Sequence, residues 1–294
     1  SQNQCAVLPL PPGLTYVEVA AGGYHTVARQ SDGTVVAWGA NYYGQCNVPS
    51  LPPGLTYVEI AAGYYHSVAR RSDGVVVAWG YNLQGQCSPP PQLPGVTFLE
   101  ISAGSQHSIA RRSDGLTVAW GSNTYGQCNA PLPTTYAFPT QAANVQLAAG
   151  FAHTLARDSD GSITVWGSNS LGQAATLTLP ASTTYTAAAA GQNHNLACRS
   201  DGAAVAWGSN AFGQCNVPTL PPGLTYVEAA AGSLHSLLRR ESTAEALPDP
   251  RNDLSSERLK LRLRRPERGL GGIDASASLA GDFASCTERS ERSV

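Results

Sequence analysis

One sixteen-residue stretch recurs along the chain, and that recurrence constrains the fold more than any other feature. SDGTVVAWGANYYGQC occupies residues 31–46, and close copies occupy 72–87, 113–128, 159–174 and 200–215. All five tryptophans lie in these copies: Trp38, Trp79, Trp120, Trp166 and Trp207, spaced 41, 41, 46 and 41 residues apart. Self-similarity at such a period marks a repeat architecture, in which each unit buries its apolar face against its neighbours.

Within one unit the pattern is that of short strands. Tyr16-Val17-Glu18-Val19 alternates apolar and polar residues, as a half-buried strand does. Ala20-Ala21-Gly22 is small enough for close backbone approach. His25 to Arg29 reads as a second strand and Thr34 to Trp38 as a third, joined by Ser31-Asp32-Gly33, whose Asp-Gly pair suits a hairpin turn. A loop over 39–44 follows, then a short fourth strand from Gln45 to Val48. Four antiparallel strands in 40–50 residues is the pattern of a propeller blade. No segment holds a 3.6-residue apolar period for ten residues, which excludes a helical repeat.

The units then follow in order. Residues 1–12 read as the end of a unit whose beginning is missing. The second unit runs Tyr57 to Pro91, the third Phe98 to Pro131, and the fifth Tyr185 to Pro218; the fourth carries five extra residues between Gln127 and Ala148, read as a longer inter-blade loop. The sixth starts at Tyr226 and stops at Arg240, where Glu-Ser-Thr replaces the expected Ser-Asp-Gly. The expectation is an all-β propeller of four-stranded blades over residues 1–240, five complete repeats plus a partial sixth, with an incomplete ring. Residues 241–294 contain no Trp or Tyr and are rich in Ser and Arg. They read as a disordered tail or as a non-native stretch out of frame. Within them, Arg258 to Arg268 holds six basic residues; it is either a solvated arm or a patch for an acidic partner such as nucleic acid.

Composition narrows the classes further. The formal net charge is −2, so no overall field points to nucleic acid or membrane. No apolar run approaches the roughly 20 residues that span a bilayer. Residues 1–15 show no basic segment leading into an apolar core, and the absence of any Met suggests a processed product or a fragment. The compartment is left between secreted and cytoplasmic, with a bacterial source as one option.

Chemistry is sparse. All six histidines (His25, His66, His107, His153, His194 and His235) occupy one position of the repeat. Equivalent positions in neighbouring blades are too far apart to surround one ion, so they read as structural. Asp32 and its copies are turn residues. The slot of Glu18, Glu59, Glu100 and Glu228 accepts Gln146 and Ala187, which argues against a catalytic role. Cys5, Cys46, Cys87, Cys128 and Cys215 have no metal-ligand spacing and read as half-buried apolar residues. No cofactor, metal or catalytic residue is expected, and the chain is not expected to be an enzyme.

The motif AAGxxHSVAxxSDGxVxAWGxNxxGQ, recurring over residues 3–240, resembles the regulator of chromosome condensation repeat, which builds β-propellers. The variant VVAWGxNxxGQ followed by xVP also resembles the secreted bacterial propeller that inhibits β-lactamases. Two slots vary inside the constant frame: the pair between Gly and His, and the loop after Trp-Gly. They carry Tyr24, Tyr42, Tyr43, Tyr64, Tyr65, Tyr81, Tyr125, Phe151 and Phe212. Aromatic residues of this kind anchor protein interfaces, and the alternative is that they pack between blades. The first functional reading is a non-catalytic protein-binding scaffold that uses these loops on one face, with another protein as partner and no small-molecule substrate. The resemblance implies two alternatives: guanine-nucleotide exchange on a small GTPase, and secreted inhibition of the β-lactamase-inhibitor type.

Overall fold

The computed structural model describes residues 3–131, 146–175 and 177–242. The predicted inter-blade loop around 134–144, nearly all of the predicted tail, and the basic stretch 258–268 lie outside the described residues.

Three strands per repeat form where the β-branched and aromatic residues fall. The first sheet is β1 (Tyr16–Ala21), β2 (His25–Gln30) and β3 (Val35–Gly39). The second is β4 (Tyr57–Ala62), β5 (His66–Arg71) and β6 (Val76–Gly80); the third is β7 (Phe98–Ala103), β8 (His107–Arg112) and β9 (Thr117–Gly121). The fourth is β10 (Gln146–Ala149), β11 (His153–Arg157) and β12 (Ile163–Gly167); the fifth is β13 (Tyr185–Ala190), β14 (His194–Arg199) and β15 (Ala204–Gly208). Among the described residues the sixth has β16 (Leu224–Ala231) and β17 (Ser236–Ser242), so strand passes the expected boundary at 240 by two residues. Pairing is antiparallel throughout and in chain order. The hairpin turn between second and third strands forms as expected: Asp32 Oδ1 accepts the Thr34 N–H at 2.9 Å, and Gly33 takes φ +81°.

The expected fourth strand is absent, which corrects the four-stranded blade to three. Gln45-Cys46 is a turn instead. Local side-chain bonds outcompete a ladder there: Asn41 Oδ1 accepts the Cys46 N–H at 2.8 Å, and the Cys46 thiol donates to the Ala40 carbonyl at 3.2 Å. Pro49 then removes a donor. The same turn bonds recur at Asn82/Cys87, Asn123/Cys128 and Asn210/Cys215.

The core sits between successive sheets. Val27 of the first sheet is buried with Tyr57, Ile60, Ala69 and Trp79 of the second, and Val68 with Phe98, Ile101, Ala110 and Trp120 of the third. Polar groups stitch the same seams. The Gln45 carbonyl accepts the Ser67 hydroxyl at 2.8 Å and the Trp79 indole N–H at 2.9 Å. Because that hydroxyl donates to a carbonyl, it can only accept from His25 Nε2, 2.9 Å away. His153 settles the tautomer independently. Its Nε2 lies 2.8 Å from Asn195 Oδ1, an acceptor, while Asn195 Nδ2 donates to the Gln173 carbonyl at 2.7 Å. His25, His66, His107, His153 and His194 are therefore Nε2–H tautomers with no partner on Nδ1.

Packing runs from each sheet to the next and ends at β16–β17, which lies on β13 and β14. No comparable packing joins β16–β17 to the first sheet, so the sheets do not close into a ring. Among the described residues the sixth repeat has no third strand, and a cavity of about 470 Å³ beside β17 is lined by Leu196, Phe212, Gln214, Leu220, Leu237 and Leu238, among others.

Glycine controls the approach of neighbouring sheets. A Cβ on Gly104 would lie 2.4 Å from the Gly150 carbonyl oxygen and 2.2 Å from His107 Cε1. We expect Gly104→Ala to lower stability by on the order of 1–3 kcal/mol, read as a drop in the denaturation midpoint. An unchanged midpoint would refute the close approach.

Burial pushes His25, His107 and His153 down to about 4 and His66 to about 3, and it lowers His194. An unfolded histidine binds its proton near pH 6.5. Between these values the unfolded chain holds more protons, so the stability these groups contribute is complete above about pH 6.5 and is lost as the pH falls through 4. Each can add up to about 1.4 kcal/mol per pH unit to the slope. Burial raises Glu59, Glu100 and Asp158, which act in the opposite sense, but three carboxylates face five histidines. The urea midpoint should fall steadily from pH 6.5 to 4; a flat profile in that window would contradict buried neutral histidines.

Candidate functional site

The variable slots of each repeat come together at one end of its sheet, and a backbone bond explains why. The residue after Trp-Gly donates its N–H to the residue before His: Ala40 to the Tyr24 carbonyl at 2.8 Å, Tyr81 to Tyr65 at 2.9 Å, and Ser209 to Asn193 at 2.8 Å. The tip of the second loop is held from below. The buried Gln45 side chain accepts the Tyr43 N–H at 2.9 Å, and Gln86, Gln127, Gln173 and Gln214 do the same for Gln84, Tyr125, Leu171 and Phe212. The loops are thus rigid and their outward side chains pre-positioned.

Five of the nine predicted aromatics converge. Tyr24 stacks on Tyr65, ring centroids 5.5 Å apart, and meets Tyr64 edge-on at 5.3 Å. Tyr43 lies edge-on to Tyr65 at 5.2 Å and to Tyr81 at 4.8 Å. Phe151 joins at the margin, 6.5 Å from Tyr64, across a third repeat that places only Ser105 in that slot. Tyr42 stands beside Tyr43 and is 70% exposed. Tyr125 and Phe212 are exposed on their own loops and make no ring contact with this cluster. Leu83 and Leu171 stand in the same variable loop slots and are exposed as well.

The cluster is apolar in body and polar at its rim. The Tyr64 hydroxyl donates to the Tyr24 oxygen at 3.2 Å. That bond first, then burial and the neighbouring phenols, pushes Tyr64 up to about 12. The repeated carboxylates serve elsewhere: Glu18 holds Arg29 at 2.8 Å and takes the Ile60 N–H at 3.2 Å across the seam. Among the described residues no three His, Cys, Asp or Glu side chains are grouped as a metal site would need. Among the same residues no helix is long and apolar enough to cross a membrane.

The family model for the regulator of chromosome condensation (RCC1) repeat matches residues 16–45, 57–86, 98–127, 145–173 and 185–214. The chain belongs to the RCC1 repeat family. Similar solved structures share its propeller-like fold. Prp20p from Saccharomyces cerevisiae, described with its binding to Gsp1p and histones, is 22% identical over 79% of this chain and 70% of its own, with a TM-score of 0.61. Human WBSCR16 is 21% identical over 80% and 75%, with a TM-score of 0.64. The ectodomain of the Physcomitrella patens receptor kinase CR4 is 23% identical over 81% and 61%, with a TM-score of 0.57. No curated protein sequence matches the chain. The match is to the RCC1 repeat, and nothing in it carries the resemblance to the β-lactamase inhibitor. It also corrects the first functional reading. The RCC1 relatives include a yeast protein described by its binding to Gsp1p, so the exchange alternative is better supported than a generic non-catalytic scaffold.

In alkaline titration, one phenol of this RCC1-repeat chain should ionise only near pH 12, and Tyr64→Phe should remove that late step. If the variant leaves the titration curve unchanged, the Tyr64–Tyr24 bond is not present.

Proposed function

We propose that the chain binds a small GTPase and promotes guanine-nucleotide exchange on it, with the tyrosine cluster of the first two repeats as the docking surface. The observation that carries the reading is the convergence of Tyr24, Tyr43, Tyr64, Tyr65 and Tyr81 on rigid loops of an RCC1-repeat fold. Its support from relatives is the yeast protein described with its binding to Gsp1p, whose fold this chain shares at low identity. The resemblance to the founding member of the family, an exchange factor, points the same way.

Exchange asks for no covalent chemistry from the chain. A surface that binds the nucleotide-free GTPase more tightly than the loaded one lowers nucleotide affinity by the same factor. Stacked tyrosines supply contact area at low entropic cost and do not need to reorganise on binding. The five buried histidines and Glu18, Glu59 and Glu100, committed to the seams between sheets, stay out of the reaction. The reading requires a GTPase in the same compartment, which separates it from secreted inhibition.

The test is release of a fluorescent guanine nucleotide from purified small GTPases with catalytic amounts of the chain. Release should accelerate, and Tyr65→Ala or Tyr43→Ala should cut the acceleration at least about tenfold, the loss typical of a truncated aromatic anchor. No acceleration with any GTPase of a representative panel would end the proposal. Equal activity in the tyrosine variants would keep exchange and move the docking surface elsewhere.

A further inference from the structure

The seams inside the chain define, residue by residue, what one sheet requires of the next. The second residue after the histidine is Val27, Val68, Ile109, Leu155 or Leu196, and each is fully buried. The following sheet does the burying, as Tyr57, Ile60 and Trp79 do for Val27. The glutamate accepts an N–H from that sheet: Ile60 on Glu18, Ile101 on Glu59 at 3.1 Å, and Leu147 on Glu100 at 2.7 Å. The histidine Nε2 finds a side-chain oxygen there, and the glycine before it lies against the next sheet's glycine carbonyl.

Both ends of the array carry half of such a seam. On the last sheet Leu237 stands in the place of Val27 and is 49% exposed. His235 is exposed where the other histidines are buried, and the three atoms nearest a Cβ on Gly232 all belong to His235, with no glycine carbonyl of a next sheet among them. The Glu228 side chain is 64% exposed. The first sheet offers the other half. Val19, in the place of the buried Ile60, is 61% exposed; Tyr16 and Trp38 are half-buried where Tyr57 and Trp79 are buried. Thr26 Oγ1 donates to the Gln4 carbonyl at 2.9 Å, just as Ser67 does to Gln45, and is thereby oriented to accept.

We infer that the open face of β16–β17 takes the β1–β3 sheet of a second copy of this chain, in a head-to-tail contact that repeats the internal seam. Leu237 packs against Tyr16, Val19 and Trp38 of the second copy. Glu228 accepts its Val19 N–H, and His235 donates to its Thr26 hydroxyl. The two halves are unlike, so one contact leaves each copy with a further open face, and association continues beyond the dimer. The occupant is a second copy because the open halves match each other position by position and, among the described residues, are not packed on each other within one molecule.

Sedimentation velocity of the full chain tests this. The wild-type mass should rise with concentration past that of a dimer. Val19→Asp spoils one face and Leu237→Asp the other, so each variant alone should be monomeric. An equimolar mixture should give a species of twice the monomer mass, because one good face of each kind remains. Both positions are exposed, and unchanged far-ultraviolet dichroism checks the fold; Glu228→Arg replaces Leu237→Asp if that variant misfolds. A wild type that stays monomeric at every concentration, a mixture that stays monomeric, or variants that self-associate alone would each overturn the inference.

Discussion

Each seam in this protein turns on one backbone carbonyl. The oxygen of Gln45, Gln86, Gln127 or Gln173 sits at the end of one repeat and accepts two donors from the next, a hydroxyl or amide and a tryptophan indole. Both lone pairs are used, so the oxygen can be buried without cost from an unmet acceptor. The direction of the hydroxyl then fixes the tautomer of a histidine one repeat back, and the neutral histidine fits its apolar slot. At Gln214 the Ser236 hydroxyl arrives at 2.7 Å but its repeat has no tryptophan. Gln214 itself lines the cavity beside β17.

This arrangement separates frame from surface. Side chains that bond within the turn, such as Asn41 and Gln45, hold the loop whatever stands at its tip. Residues at the tip are then free to differ, and the first two repeats use that freedom to assemble tyrosines while the third places Ser105 and Gln106 in the inner slot. A recognition surface can therefore vary without disturbing the seams below it.

The strands, the hairpin turns and the repeat boundaries were legible in the sequence because each rests on local chemistry: period-two alternation, Asp-Gly, and small residues before His. The fourth strand was misread for a local reason as well. Gln45 to Val48 looks extended by composition, yet the Cys46 N–H goes to the Asn41 side chain and the Cys46 thiol to the Ala40 carbonyl, a competition that composition does not reveal. The histidine's partner was hidden because it lies 42 or 47 residues away. At the candidate site the sequence singled out the right slots but could not rank them. Whether Tyr64 meets Phe151 depends on the size of Ser105 between them, whereas Tyr125 and Phe212 occupy good slots without aromatic neighbours.

The seam also sets how such a chain can change its length. The first five repeats each present a histidine on one face and a hydroxyl or amide with a tryptophan indole on the other, so whole units can be duplicated or deleted without inventing a new contact. The connector between units is under no such discipline: His107 reaches Thr154 across 47 residues at 2.9 Å, as closely as His66 reaches Ser108 across 42. Drift by unequal crossing-over is thus tolerated in steps of one repeat, while additions of a few residues collect in the connectors. Copy number and loop-tip chemistry become independent variables, and one lineage of such chains can explore both.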